Sequence, residues 1–231
     1  MQDLSAIAVI PARGGSKRIP RKNIHIVHGK PIIGWVIETA VASGLFKDIV
    51  VSSEDDEILS IAIKFGATAF KRPIELADDH THVMPVVMNA LEAFESKPDT
   101  ACLIYPTALL MTVEHLRDAK RVLCRATCES VLPVCSFPSA IQRAYRIDSH
   151  DFLEMASPEY QSSRSQDLEE RFRDCGTFYW WKLGISAPRI SALKTSSLRC
   201  VDIDCPEDLE MALMLFDRQR AKPLQTWSSQ G

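Results

Sequence analysis

The chain has 231 residues, 46% hydrophobic and 25% charged, which fits one large α/β domain (1–231) with at most a small insert. Its formal net charge of -3 argues against a nucleic-acid partner or a membrane surface held by bulk charge, so any anion site must be a local concentration of basic residues. Met1 to Ser5 lacks a basic leader and no uncharged run is long enough to span a bilayer, so a cytoplasmic protein is expected. The seven cysteines include no C-x-x-C pair and are read as reduced thiols rather than disulfides or a zinc site.

Short apolar runs alternate with helical patterns along the chain. Ala6 to Ile10 predicts a strand that ends in a loop, Pro11 to Asn23. Pro31 to Ser43 predicts a helix with proline in its first turn and Gly44 past its end. Asp48 to Ser52 is a second strand, Asp55 to Phe65 a helix, and Ala67 to Phe70 a third strand. Val83 to Phe94 follows as a helix, Ala101 to Ile104 as a strand, Thr112 to Arg125 as a capped helix, and Ser130 to Val134 as a strand. Residues 136–173 are more polar and read as an inserted arm. Gly176 to Trp181 and Leu198 to Ile203 predict the last strands, Pro206 to Arg220 the last helix, and 224–231 a frayed tail.

This alternation predicts an α/β fold, a doubly wound and mostly parallel sheet of the Rossmann-like kind, with helices on both faces. Ligands of such sheets bind beyond the carboxyl ends of the strands, so the loops after Ile10, Phe70 and Ile104 should share one edge.

The loop after the first strand reads Pro11-Ala12-Arg13-Gly14-Gly15-Ser16-Lys17-Arg18-Ile19-Pro20-Arg21-Lys22-Asn23. Two glycines allow close backbone approach and can present N–H groups to anions. Arg13, Lys17, Arg18, Arg21 and Lys22 supply cations within ten positions. A polyphosphate needs both features. Neither a G-x-x-x-x-G-K-[ST] loop nor a G-x-G-x-x-G fingerprint is present, which counts against kinase, ATPase and dehydrogenase chemistry.

Near the other end, Asp202-Ile203-Asp204 closes the expected last strand. Residues two apart on a strand share a face, so both carboxylates converge while Ile203 turns to the core. Two adjacent carboxylates repel unless a cation joins them, and Mg2+ held by carboxylates and substrate phosphates is the usual arrangement. Asp204 also stands just ahead of Pro206, where a helix cap would be, and these residues alone leave that reading open.

The basic loop resembles the P-A-R-x-G-S-K-x-I-P-x-K-N signature of the CMP-sialate synthetase family, and Asp202-Ile203-Asp204-Cys205-Pro206-Glu207-Asp208 resembles its D-I-D-x-P-E-D metal motif. The resemblance implies a cytidylyltransferase that couples CTP to an acidic nine-carbon sugar and releases pyrophosphate. It extends from about Ala6 to Leu215. The nucleotide-side candidates are Ala12, Arg13, Gly14, Gly15, Ser16, Lys17, Lys22 and Asn23. Arg72, in an R-P-x-E-L stretch ending near Asp79, and Thr81 join them on the cytidine side. Arg13, Lys22, Asp202 and Asp204 are the catalytic candidates, and the two aspartates are the candidate metal ligands.

Tyr105-Pro106-Thr107 stands where most sialate synthetases have Gln-Pro-Thr, and a tyrosine cannot reproduce an amide's paired donor and acceptor. It resembles the pseudaminic acid branch, as does Arg164-Ser165-Gln166-Asp167-Leu168-Glu169-Glu170 followed by Asp174-x-Gly176-x-Phe178-Tyr179-Trp180. The sugar-side candidates are therefore Tyr105, Thr107, Arg164, Gln166 and Asp167. Most of the rings at Phe178, Tyr179 and Trp180 are read as strand core. The family's arm implies a homodimer in which it reaches toward the partner's site. A CMP-N-acetylneuraminate or CMP-legionaminate synthetase, and a non-catalytic nucleotide sensor, are the alternatives.

Overall fold

A computed structural model describes residues 4–78, 80–94, 98–125, 127–185 and 189–221. The first strand, β1 (Ala6–Pro11), is buried on both faces. Ala8 and Ile10 pack on one side of it, and Ile7 and Val9 on the other. That two-sided burial explains why it reads as a continuous apolar run rather than an alternating one. A short ribbon, β2 (Ile26–Val27) and β3 (Lys30–Pro31), leads into α1 (Ile32–Ser43), which Gly44 ends in a left-handed turn with φ 66°. Then come β4 (Asp48–Ser53), α2 (Asp56–Lys64), β5 (Thr68–Lys71), α3 (Val83–Glu92), β6 (Thr100–Ile104), α4 (Val113–Leu123) and β7 (Ser130–Ser136). Asp55 caps α2, accepting from the amides of Glu57 and Ile58, and Thr112 caps α4 by accepting from His115.

The arm contains a hairpin, β8 (Tyr145–Ile147) with β9 (Leu153–Met155), and short 3-10 turns. The chain re-enters the main sheet through β10 (Phe172–Asp174), β11 (Phe178–Lys182) and β12 (Ile190–Lys194), and ends its described part in α5 (Pro206–Ala221). The eight-stranded sheet runs β5-β4-β1-β6-β11-β7, with β10 and β12 also paired to β7. The pairs β1–β4, β1–β6, β4–β5 and β7–β12 are parallel, whereas β10 and β11 run against their neighbours.

Two apolar layers enclose the sheet. One packs Ile33, Val36 and Ile37 of α1, Ile58 of α2 and Leu116 and Leu123 of α4 against it. The other uses Val87, Ala90 and Leu91 of α3. A third cluster matters most for the site: Ile19 of the basic loop, Ile32, Leu109, Ile203 and Ala212 and Phe216 of α5 are all buried together. Full burial of such a side chain is worth roughly 1.5–3 kcal/mol, so this cluster clamps the basic loop to the segment carrying the acidic pair.

Two expectations need correction. The strand expected over Leu198 to Ile203 is absent; Ser197–Arg199 forms a 3-10 turn capped by Ser196, and the missing strand lies earlier, at β12. The half-exposed alternation of Ile190 to Lys194 is what an edge strand allows, and it carried too little apolar character to be recognised. The cysteines are not all thiols either: Cys175 and Cys200 are joined. The long-range packing of β10, β7 and the 3-10 turn brings them together, which sequence spacing cannot foretell. The expected tail, 224–231, lies outside the described residues. Among the described residues no helix is long and apolar enough to cross a membrane.

Candidate active site

A cleft of about 500 Å3 opens beyond the carboxyl ends of β1, β5 and β6, within the usual range for small-ligand sites. Its walls include Arg13, Ser16, Lys17, Arg18, Lys22, Arg72, Thr81, Tyr105, Thr107, Asp202 and Asp204. The three loops expected to share one edge therefore do so, because the parallel register turns all three strand ends the same way.

The basic loop is braced from below. Ala12 is buried and donates its amide to the Ser52 carbonyl, so it supports the loop rather than facing the cleft. Asn23 is buried and donates its Nδ2 to the Arg13 carbonyl at 2.9 Å, tying the loop's two ends together. Arg13 reaches across to donate to the Asp78 carbonyl at 3.3 Å. A Cβ on Gly14 would stand 2.4 Å from Asp55 Oδ2, so a side chain there has no room. Gly15 has open space around its Cα and is not required for packing. Arg21 sits at φ 56° and pairs with Asp55 and Glu57, which leaves it outside the cleft. That guanidinium, more than the opposing cost of burial, holds the Asp55 carboxyl below its ordinary range.

Glu54, at the end of β4, is a residue the sequence reading missed. Its Oε1 accepts from the Gly14 amide at 2.7 Å, and its Oε2 accepts from Arg72 Nη2 at 2.6 Å and Nε at 3.1 Å. Arg72 is buried, so its cation requires a partner. One carboxylate thus links the phosphate-side loop to the cytidine-side candidate. Thr81 is oriented by Asp78, whose Oδ1 accepts from its amide at 2.6 Å. Asp79 lies outside the described residues.

The acidic pair faces the loop without a strand ladder. Asp202 and Asp204 line the cleft, and Ile203 between them is buried in the clamp described above. Lys22 Nζ donates to the Ile203 carbonyl at 2.5 Å and stands 3.3 Å from Asp204 Oδ1; Arg18 Nη2 is 2.9 Å from the same oxygen. Asp208, in the first turn of α5, reaches back so that its Oδ2 accepts from the amides of Asp204 at 3.0 Å and Cys205 at 2.8 Å, while the Asp204 carboxylate faces Lys22 and Arg18. Burial, and then the neighbouring Asp204, push the Asp202 carboxyl above its ordinary range, with Lys22 opposing. Such a carboxylate gains from a shared cation, and two carboxylates open to one cleft are the hard oxygen donors that suit Mg2+.

The wall beside Asp202 holds further residues that went unassigned. Asp174 Oδ1 accepts from the Gly176 amide at 2.9 Å and its Oδ2 from the Tyr179 hydroxyl at 2.5 Å. Tyr179 stands edge-on to Tyr105, ring centres 5.7 Å apart. Burial, followed by the hydrogen bond to Asp174, raises the Tyr179 hydroxyl, which therefore stays a donor. Phe178 and Trp180 are buried as expected of strand core, but Tyr179 points the other way and lines the cleft. The alternation along β11 separates these roles. Gly176, at φ 60°, brings its backbone against Asp202: a Cβ there would lie 3.0 Å from Asp202 Oδ2. Arg164, Gln166 and Asp167 are not in the cleft wall. They form an exposed 3-10 turn of the arm, where Arg164 Nε pairs with Asp167 Oδ2 at 2.6 Å.

The family model described as cytidylyltransferase fits residues 7–225. The chain belongs to the cytidylyltransferase family. It is 38% identical over 221 residues to the pseudaminic acid cytidylyltransferase of Campylobacter jejuni, covering 91% of this chain and 95% of that one. It is 34% identical over 167 residues to the CMP-N,N'-diacetyllegionaminic acid synthase of Legionella pneumophila, covering 71% and 69%. The fold also matches a solved CMP:2-keto-3-deoxy-manno-octonic acid synthetase complexed with CTP, with a TM-score of 0.69, 17% identity, and 93% and 99% of the two chains covered. This cytidylyltransferase thus shares with that structure an α/β nucleotidyltransferase architecture.

Proposed function

We propose that the chain transfers CMP from CTP to the anomeric hydroxyl of pseudaminic acid, a nine-carbon 2-keto sugar acid, and releases pyrophosphate. The observation that carries this reading is the cleft itself. Arg13, Lys17 and Lys22 line one wall, Asp202 and Asp204 another, and Tyr105 and Tyr179 a third.

In this reading the basic loop receives the triphosphate. Charge grows on the α-phosphate and on the leaving pyrophosphate during transfer, and Arg13 and Lys22 stabilise it there. Lys22 bridges to the acidic segment through the Ile203 carbonyl, so phosphate binding and acid placement are mechanically joined. Arg72, held by Glu54, supports the cytidine side. The residues that would hold Mg2+ are Asp202 and Asp204; the bound ion would offset phosphate charge and acidify the attacking hydroxyl.

Tyr105-Pro106-Thr107 supports pseudaminic acid over the sialate and legionaminate alternatives. So does the likeness to the Campylobacter jejuni enzyme across nearly the whole chain. The arm supports a homodimer: Tyr145, Ile147, Phe152 and Leu153 on its hairpin are 59–69% exposed, an apolar patch that a second subunit would cover. Arg164, Gln166 and Asp167 would then act in the partner's cleft. Product masses from CTP, Mg2+ and each of the sugars pseudaminic acid, N,N'-diacetyllegionaminic acid and N-acetylneuraminic acid test the reading. The CMP conjugate of pseudaminic acid alone is expected, and conjugation of another sugar in its place would overturn the sugar assignment.

A further inference from the structure

Behind the wall of the cleft, Cys135, Cys175 and Cys200 converge. Their sulfurs lie within 4.8 Å of one another, and each residue is about 1% exposed. Cys175 and Cys200 are bonded, with Cα atoms 4.5 Å apart and a sequence separation of 25. The position of this bond is what gives it consequence. Cys175 stands between Asp174 and Gly176, both lining the cleft, and Cys200 is two residues before Asp202. The same two segments touch elsewhere: Arg173 Nη2 donates to the Cys200 carbonyl at 3.0 Å, and the Gly176 backbone packs against the Asp202 carboxylate. The disulfide is therefore a covalent tie between the turn carrying Asp174 and the segment carrying Asp202.

We propose that Cys175 and Cys200 form a thiol–disulfide exchange site whose closed state holds Asp202 against the Asp174–Gly176 turn. The exchange partner is a low-molecular-weight disulfide. A thiolate of one cysteine attacks it, forming a mixed disulfide and releasing one small thiolate. The second cysteine's thiolate then attacks the mixed disulfide, closes the protein bond and releases the second small thiolate. Two electrons pass from the protein sulfurs to the small disulfide, and the protein's two thiol protons end on the two released thiols. Two equivalents of small thiol reverse the sequence. Opening frees the Asp202 segment from its covalent attachment and leaves the Ile203 clamp, the Lys22 contact and the Arg173 hydrogen bond in place, so metal-dependent CTP binding weakens while the fold persists. The metal part of this inference rests on the function proposed above; the bond itself does not.

The test uses the full chain, equilibrated with oxidised glutathione or with dithiothreitol. Thiols are alkylated after denaturation and counted by intact mass. Of seven cysteines, five are expected to label in the oxidised sample and seven after reduction. In parallel, the melting-temperature shift produced by CTP is recorded across Mg2+ concentrations, a readout that needs no sugar and no turnover. Reduction is expected to raise the Mg2+ needed for the half-maximal shift at least threefold, reversibly on reoxidation. The Cys175→Ala/Cys200→Ala variant should match the reduced protein and ignore both reagents. Seven labels in the oxidised sample would overturn the site. One zinc per chain, with labelling blocked until a chelator is added, would overturn it in favour of a three-thiolate metal site. Five labels with identical Mg2+ dependence in both states would overturn the coupling to Asp202. Failure of CTP to shift the melting temperature in either state, with five and seven labels as expected, would count against the proposed function and the coupling but not against the bond.

Discussion

The carboxylate of Glu54 and the guanidinium of Arg72 form a buried ion pair at 2.6 Å, and the carboxylate's other oxygen takes the Gly14 amide of the basic loop. Both partners are largely withdrawn from water, with side-chain exposures of 4% for Arg72 and 14% for Glu54. Removing one member of such a pair strands the other, at a cost of roughly 3–5 kcal/mol. Glu54→Ala should therefore lower the melting temperature markedly. Glu54→Gln keeps one acceptor oxygen but sets its amide NH2 against either the Gly14 amide or the Arg72 guanidinium, so it should also lower the melting temperature, and it should raise the KM for CTP about tenfold, roughly 1.4 kcal/mol. Thermal melts and steady-state kinetics on the two variants check this, and a KM for CTP unchanged in both would remove Glu54 from the site.

Asp202→Asn keeps the shape of the side chain and removes its charge. Turnover should fall at least a hundredfold, about 2.7 kcal/mol of barrier, with little loss of stability because the carboxylate is held in an unfavourable, half-buried place beside Asp204. Pre-steady-state rates at saturating CTP measure the loss. Near-normal turnover would refute its role in the reaction.

Gly176→Ala is predicted to damage the enzyme through two routes at once. A left-handed φ of 60° strains any residue with a Cβ, by about 1 kcal/mol, and that Cβ would press on Asp202 Oδ2 at 3.0 Å. The expected outcome is a fall in kcat/KM for CTP of roughly tenfold or more, since the displaced Asp202 sits in the segment that Lys22 and Arg18 of the basic loop contact. Parallel kinetics on Gly15→Ala, where space is open, provide the contrast: that variant should keep its fold and melting temperature.

Stability should also depend on pH through His115. This ring on α4 faces Thr195 at 3.2 Å, and burial, reinforced by the Arg199 charge, pushes its pKa down to about 4. The unfolded chain, with an ordinary histidine near 6.5, therefore binds the proton first. Stability is full above pH 6.5 and declines as the pH falls from there toward 4, by on the order of 2 kcal/mol, since the ring keeps some exposure. Urea melts at pH 7.5 and 5.0 should show the difference, and His115→Gln should reduce it.

Much of this architecture is legible in the residues. The strands β1, β4, β6 and β7 were recognisable as apolar runs between turn signals, and the α4 cap as Thr112. The loop from Pro11 to Asn23 announced itself by charge and glycine density. What escaped notice depended on three-dimensional register. Glu54 follows a strand like any surface acid, and only the approach of β5 to β4 shows that it holds Arg72. Tyr179 sits in an aromatic run whose alternation could have been divided into core and cleft faces, given the burial of Phe178 and Trp180 on the other side. Cys175 and Cys200 carry no spacing signature, because a 25-residue excursion separates them.

The central claim is that the basic loop and the acidic pair form one machine for cytidylyl transfer to a sugar acid. Pyrophosphate release from CTP and Mg2+, followed with pseudaminic acid, with N-acetylneuraminic acid and with no sugar, tests it most directly. The account predicts release with pseudaminic acid, none above background without sugar, and loss of the signal in Asp202→Asn. No sugar-dependent release with either acid, from a folded protein that still binds CTP, would contradict it.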